Sequence, residues 1–297
     1  MIQGKIIKGI AGFYYVKANE TIYECSARGV FRKQDLSLLI GDDVEIEIEH
    51  KQSLRGEYKT AIIQKILPRR NKMVRPPVAN VDQAVIVFSI NYPKPNLDLL
   101  DRFLILVQEQ GIEASICINK IDIDDKEEYI TIKNIYSKIG YTVILTSAVE
   151  NQGIDLLRNY LKNKTSFFAG NSGVGKSTLL NAIQPSLGLE TGALSEKIKR
   201  GKHTTRHVEL MPLEIGGYVL DTPGFSSVSI DHIEADDLKN YFKEFQSYES
   251  ACKFVGCSHI HEPGCRVKDA VAQGDIHPRR HEGYVTMYNQ LKDIRRW

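Results

Sequence analysis

Residues Gly170–Thr178 read GNSGVGKST, with the spacing G-x-x-x-x-G-K-[ST], between an apolar run SFFA and a helical pattern STLLNAI. A strand that ends in such a turn and restarts as a helix gathers backbone N–H groups around one point. Gly170, Asn171, Ser172, Gly173, Val174 and Gly175 form the turn, and the helix N-terminus adds its partial positive charge. Lys176 supplies a mobile cation, Ser177 a hydroxyl able to ligate Mg²⁺, and Thr178 completes the loop. The stretch therefore demands strand, phosphate-binding loop and helix in that order, which only an α/β layer provides.

The flanking sequence supplies that layer. From Val81 onward apolar strands alternate with helical patterns: VDQAVIVFSI, then NLDLLDRFLILVQEQG ending at Gly111, then EASICINK. A helix around residues 126–139, the strand TVILTSA, the short helix GIDLLRNYL and the strand SFFAG follow. This is the pattern of a doubly wound domain.

Three further motifs stand at strand ends. In NKID, Asn119 and Lys120 precede Asp122, whose carboxylate can accept both N1–H and N2–H₂ of guanine. Adenine would leave that carboxylate unpaired, and such polar pairing discriminates strongly. Ser147 and Ala148 of TSA can bring a backbone N–H to the guanine carbonyl. In DTPG, Asp221 is placed to hold Mg²⁺ through water and the Gly224 N–H to meet a γ-phosphate. GKHTTR lies between the loop and DTPG. A threonine there, Thr205 ahead of Thr204, can ligate Mg²⁺ only when a γ-phosphate is present.

The order is unusual. Regular guanine-nucleotide domains run phosphate loop, switch threonine, DxxG, NKxD, SA; here NKID and TSA come first. The old ends are joined through GIDLLRNYL and the new ends are cut after DTPG, a circular permutation. The second switch then runs directly into whatever follows it.

Before this domain, residues 1 to about 70 read as short strands with turn punctuation, the pattern of a five-stranded oligonucleotide-binding barrel. Tyr14, Tyr15, Tyr23 and Phe31 interleave with Arg28, Arg32 and Lys33, which suits either a nucleic-acid surface or a small core with solvated charges. The stretch LPRRNKMVRPPVAN, rich in proline and basic residues, reads as a linker able to touch an anionic partner. After it and the central domain, Cys252-x₄-Cys257-x-His259-x₅-Cys265 offers three thiolates and an imidazole, the donors of a closed structural zinc site, with His261 as rival nitrogen ligand. Cys25 and Cys117 lie in strand-like segments and read as core thiols. The basic, histidine-bearing tail is open to RNA phosphate or to plain helix-surface charge.

With a net charge of only +2, any nucleic-acid surface must be local. No apolar run is long enough to span a membrane, the amino terminus lacks a signal-peptide core, and the five cysteines do not form a secreted disulfide framework. A cytoplasmic location is expected.

In layout the chain resembles the ribosome small-subunit-dependent GTPase A family, and the resemblance covers nearly all of it. It implies three domains: an RNA-binding OB-fold barrel at 1–68, a circularly permuted P-loop GTPase at 69–228, and a small helical zinc-binding domain at 229–297. It further implies GTP hydrolysis stimulated by the small (30S) ribosomal subunit, a role in late maturation of that subunit, GTP, GDP and ribosomal RNA as partners, and a monomer. The Cys/His spacing, not that of a classical finger, matches what the resemblance implies. Phe225 stands where many small GTPases carry a water-orienting glutamine. His203 is then the candidate to position the water, and the resemblance points the same way; a solvated or RNA-contacting histidine is the alternative. Two rival functions remain: a GTP-gated RNA- or ribosome-binding switch with incidental hydrolysis, favoured by Phe225, and an ATP-dependent kinase or ATPase, opposed by NKID.

Overall fold

The computed structural model describes every residue except 30, 32–36, 53–57, 74–75, 192–207, 222–227 and 295–297; the side chains of 50–52 and 221 also lie outside the description. Five strands open the chain: β1 (Ile2–Ile10), β2 (Phe13–Ala18), β3 (Thr21–Ala27), β4 (Asp43–Gln52) and β5 (Lys59–Ile66). β1 pairs with β2, β2 with β3, β3 with β5 in parallel and β5 with β4; the β1–β4 pairing closes the barrel. Alternate residues point inward, as Ala61 and Ile63 do from β5, because strand side chains have a period of two. Tyr15, Tyr23 and Phe31 are buried, so these three rings fill cores. Arg32 and Lys33 lie outside the described residues.

The described residues of the stretch read as a linker are tied down at several points. Its short strands β6 (Lys72–Met73) and β7 (Val78–Ala79) form an antiparallel pair. Arg69 donates from Nε and Nη2 to the two oxygens of buried Asp42, at 2.6 and 2.8 Å. Arg70 pairs with Asp82, and the Asn80 amide donates to Gly41 O and Asp43 Oδ2. Those two arginines are thus engaged within the chain, where sequence reading offered them to an anionic partner.

The central layer contains β8 (Gln83–Ser89), α1 (Leu97–Glu109), β9 (Glu113–Asn119), α2 (Glu128–Lys138), β10 (Thr142–Thr146) and α3 (Ile154–Leu161). It continues with β11 (Thr165–Ala169), α4 (Lys176–Ile183), β12 (Glu209–Pro212) and β13 (Tyr218–Asp221). Strand order is β10-β9-β8-β11-β13-β12, parallel except for the antiparallel β12–β13 pair. β8 and β11 are buried at every residue, as strands covered by helices on both faces must be. Sequence order aside, the parts lie where a nucleotide domain needs them: the loop after β11 opens beside the carboxyl ends of β8 and β9.

One pairing joins barrel to central sheet. Lys8 of β1 sits opposite Glu209 of β12, and their side chains form an ion pair at 2.7 Å. The barrel thereby extends the edge of the central sheet, an arrangement the sequence reading did not contain.

The C-terminal module is built from 3₁₀ turns at Ala235–Tyr241 and Lys243–Phe245 and from α5 (Gln246–Glu249), α6 (Arg266–Gln273) and α7 (Pro278–Ile294). Phe242, Phe245 and Tyr284 pack mutually at 5.0–5.1 Å between ring centroids. Ile105 and Leu106 of α1 complete this core, so the module is seated on a helix of the central domain. No helix among the described residues is long and apolar enough to cross a membrane.

Candidate nucleotide site and metal centre

Buried Val174 pins the middle of the phosphate loop into the core between β8 and α4, leaving Asn171, Ser172 and Gly173 facing outward. Gly170, Gly173 and Gly175 all have positive φ, of 137, 80 and 97°. At Gly175 a Cβ would fall 2.4 Å from Asn119 Nδ2, so only glycine lets the loop approach the β9 terminus this closely. Lys176 opens α4 and its ammonium donates to Gly170 O and Asn171 O, both at 2.7 Å. Ser177 and Thr178 follow in the first turn, half-buried.

NKID meets this loop. Asn119, buried at the end of β9, donates from Nδ2 to Val174 O at 2.9 Å and accepts from Thr146 Oγ1 at 3.1 Å. Lys120 takes the left-handed conformation at φ 65°, and its ammonium donates to Gly173 O at 2.7 Å and Tyr92 O at 2.6 Å. Asp122 stands exposed in the 3₁₀ turn Ile121–Ile123. Motifs some 50 residues apart in sequence are therefore hydrogen-bonded into one frame.

In TSA the Ser147 N–H donates to Gln152 O at 3.0 Å, and the Ser147 hydroxyl accepts from Glu150 N at 3.1 Å. The turn is thus self-supported, with half-buried Ala148 next along it. Thr146, the first residue of TSA, steadies Asn119. Tyr92 was missed altogether, because it acts through a backbone carbonyl that no side-chain pattern reports. Cys117 lies beneath, 3.3 Å from Thr146 Oγ1. Burial pushes its thiol up to about 12, as it does for Cys25, so both are inert core groups as expected. His203, Thr204, Thr205, Gly224 and Phe225 lie outside the described residues; Asp221 ends β13, and its side chain is not described.

At the other end of the molecule, ligand atoms of Cys252, Cys257, His259 and Cys265 all lie within 4.8 Å of one another. His259 Nδ1 faces Cys252 Sγ at 3.7 Å and Cys265 Sγ at 3.4 Å. His261, the rival ligand, is exposed and outside the cluster. Backbone N–H groups point at the sulfurs, Arg266 N lying 3.4 Å from Cys252 Sγ. Burial lowers the His259 pKa, favouring the neutral, metal-ligating ring. It pushes the Cys257 thiol up to about 12, a cost that a bound cation reverses. Three sulfurs and one imidazole at this spacing fit a closed tetrahedral metal site.

The knuckle carrying these ligands is held by Glu262, whose carboxylate accepts from the N–H groups of Ser258 at 2.7 Å and of Ile260 and His261 at 3.2 Å. Burial alone would raise its pKa, but these amides outweigh it and hold the carboxyl down at about 2. Replacing Glu262 with Ala should cost about 1–3 kcal/mol by denaturant unfolding and speed metal release to a chelator. A carboxyl depressed in the folded state gives stability that is complete above the ordinary value near 4.5 and lost only toward pH 2. The deficit should therefore be constant from about pH 6 to 8; a deficit that varies across that window would contradict the assignment.

Fold and site together define a circularly permuted P-loop protein whose NKID turn is hydrogen-bonded to its phosphate loop, with a barrel and a Cys₃His module. The comparisons agree. The model described as RsgA GTPase matches residues 66–231, more than half the chain, and the RsgA N-terminal domain matches residues 3–53. The chain belongs to the RsgA GTPase family. A relative from Alkaliphilus metalliredigens, named Small ribosomal subunit biogenesis GTPase RsgA, is 48% identical over 100% of both chains. A protein of the same name from Caldanaerobacter subterraneus is 49% identical, over 98% of this chain and 96% of its own. Among solved structures, YjeQ from Thermotoga maritima superposes with a TM-score of 0.82 at 37% identity, covering 98% of each chain. YloQ, described as a circularly permuted GTPase, gives 0.81 at 40% identity over 99% of this chain and 96% of that one.

Proposed function

We propose that the chain hydrolyses GTP to GDP and phosphate on the small ribosomal subunit and assists late maturation of that particle. The observation that carries the reading is the frame joining base site to phosphate loop, Asn119 to Val174 O at 2.9 Å and Lys120 to Gly173 O at 2.7 Å. It occurs in a chain whose full-length relatives are named for small-subunit biogenesis.

In this reading Asp122 accepts the guanine N1–H and N2–H₂, the Ala148 N–H meets O6, and the stem of Lys120 lies against the ring. The loop amides from Asn171 to Lys176 surround the β-phosphate, and the Lys176 ammonium leaves its carbonyl partners to bridge β- and γ-oxygens. Ser177, one of Thr205 or Thr204, and Asp221 would hold Mg²⁺, which would supply charge neutralisation on the phosphates. The Gly224 N–H donates to a γ-phosphate oxygen, and His203 orients the attacking water that Phe225 cannot. Cys252, Cys257, His259 and Cys265 hold zinc as a structural ion. The barrel and the basic tail contact ribosomal RNA, which places the work in the cytoplasm.

Phe225 favours one further reading, a GTP-gated ribosome-binding switch in which turnover is incidental. Single-turnover GTP hydrolysis with and without purified small subunits separates the two.

A further inference from the structure

The module rests on α1 through a buried ionic contact. Arg280 of α7 is 2% exposed, Asp101 of α1 is fully buried, and the two side chains are ion-paired. The same guanidinium donates from Nε to Glu244 Oε1 at 2.7 Å and from Nη2 to Oε2 at 3.2 Å. Phe242 lies 4.5 Å beneath it, and Tyr136 of α2 donates its hydroxyl to Asp101 at 2.7 Å. Gly283 lets the helices close on this group: a Cβ there would fall 3.1 Å from Asp101 Oδ2. Burial works against the charge, yet Asp101 and Glu244 keep Arg280 well above the ordinary arginine value.

Such a network is a poor source of stability, since apolar residues of similar volume often serve as well or better. Its distinctive property is geometry. Two carboxylates on different elements fix one planar fork, whereas an apolar contact tolerates sliding. The element it fixes bears directly on the nucleotide site. α1 is capped by Asn96, whose side chain accepts from Leu99 N at 3.0 Å, and the preceding loop lies beside the phosphate loop, Lys120 bridging Tyr92 O and Gly173 O. Within that loop Tyr92 O accepts from Lys120, and Pro93 O accepts from Ser89 Oγ at 2.5 Å. Only four residues separate Tyr92 from the start of α1.

We infer that Arg280 is a positioning residue for the nucleotide site: by tying Asp101 of α1 to Glu244 of the C-terminal module, it sets the Tyr92 carbonyl that holds Lys120 against Gly173. Nucleotide affinity and seating of the metal module are thereby coupled through α1. This route is separate from the direct run of the second switch into the module. The inference rests on the guanine-nucleotide reading above.

The test is a double-mutant cycle on the metal-loaded, full-length protein, read as the dissociation rate of N-methylanthraniloyl-GDP. Arg280→Met, an apolar replacement of similar length, costs stability by leaving Asp101 and Glu244 buried without their cation, but should keep its metal and release the nucleotide about fivefold or more faster. In a Lys120→Met background the same change should have little further effect, because the contact it acts through is already gone. A merely structural role would give equal effects in both backgrounds. Should Arg280→Met lose its metal or fail to fold, Arg280→Lys, which cannot bridge both carboxylates with a planar fork, is carried through the same cycle. A folded variant whose release rate stays within about twofold of the parent, or whose effect persists undiminished without Lys120, overturns the coupling. A parent protein that does not bind the GDP probe overturns the nucleotide reading, and this inference with it.

Discussion

Replacing Asp122 with Asn is expected to cut GTP affinity by roughly three orders of magnitude and to confer binding of xanthosine triphosphate in its place. The size of the effect follows from the hydrogen-bond inventory. A carboxylate accepts from N1–H and N2–H₂ of guanine together; an amide meets the N2 amino group with an N–H of its own, so one donor faces another. Xanthine carries a carbonyl at C2, which the new amide can satisfy. The change should be confined to recognition. Asp122 is exposed, in a turn whose buried anchors are Asn119 and Ile121, and an exposed substitution ordinarily moves stability by no more than about 0.5 kcal/mol. Titration of both nucleotides, with thermal unfolding as control, checks this. Unchanged GTP affinity would remove Asp122 from the base site.

Stripping the metal should have the largest structural effect. Cys257 and Cys265 are themselves members of the module core, beside Phe245, Tyr284 and Leu238, and the His259 ring meets Phe245 edge-on at 5.6 Å. Structural zinc sites contribute on the order of 10 kcal/mol of folding free energy, more than a module this small gains from its apolar contacts alone. Chelation, or Cys257→Ser, should therefore open the segment after Ile230 to proteolysis while the barrel and central sheet stay protected. Release of the GDP probe should quicken by the same factor as in Arg280→Met, since both changes unseat α1. Metal analysis of the purified protein should find one zinc per chain. A stripped module that keeps its protease resistance would show that the four ligands are not what holds it.

The chemistry-bearing parts were readable because each is local. GNSGVGKST, NKID and the Cys₃His run each carry their meaning within a few residues, and the alternation from Val81 onward announced the layer that holds the first two. Permutation was readable too, since motif order is a property of the sequence itself. What escaped was made of long-range pairs. Nothing near Lys8 marks Glu209 as its partner, and nothing near Arg280 marks Asp101. Tyr92 acts through a carbonyl that every residue possesses. The stretch around Arg69 and Arg70 has a linker's composition, and its charges are answered by Asp42 and Asp82, which only the folded chain brings alongside. Among the aromatics of the barrel, sequence left surface and core open; burial of Tyr15, Tyr23 and Phe31 decides for the core at those positions.

The central claim, that this is an enzyme driven by its ribosomal partner, is met most directly by single-turnover GTP hydrolysis with and without purified small subunits. A chain with Phe225 at the water-orienting position should turn over slowly alone and accelerate at least about tenfold when the subunit is bound. His203→Ala should remove most of that acceleration while leaving GTP affinity in place. Equal rates with and without the subunit, at concentrations where binding is complete, would contradict the account and leave the nucleotide as a binding switch.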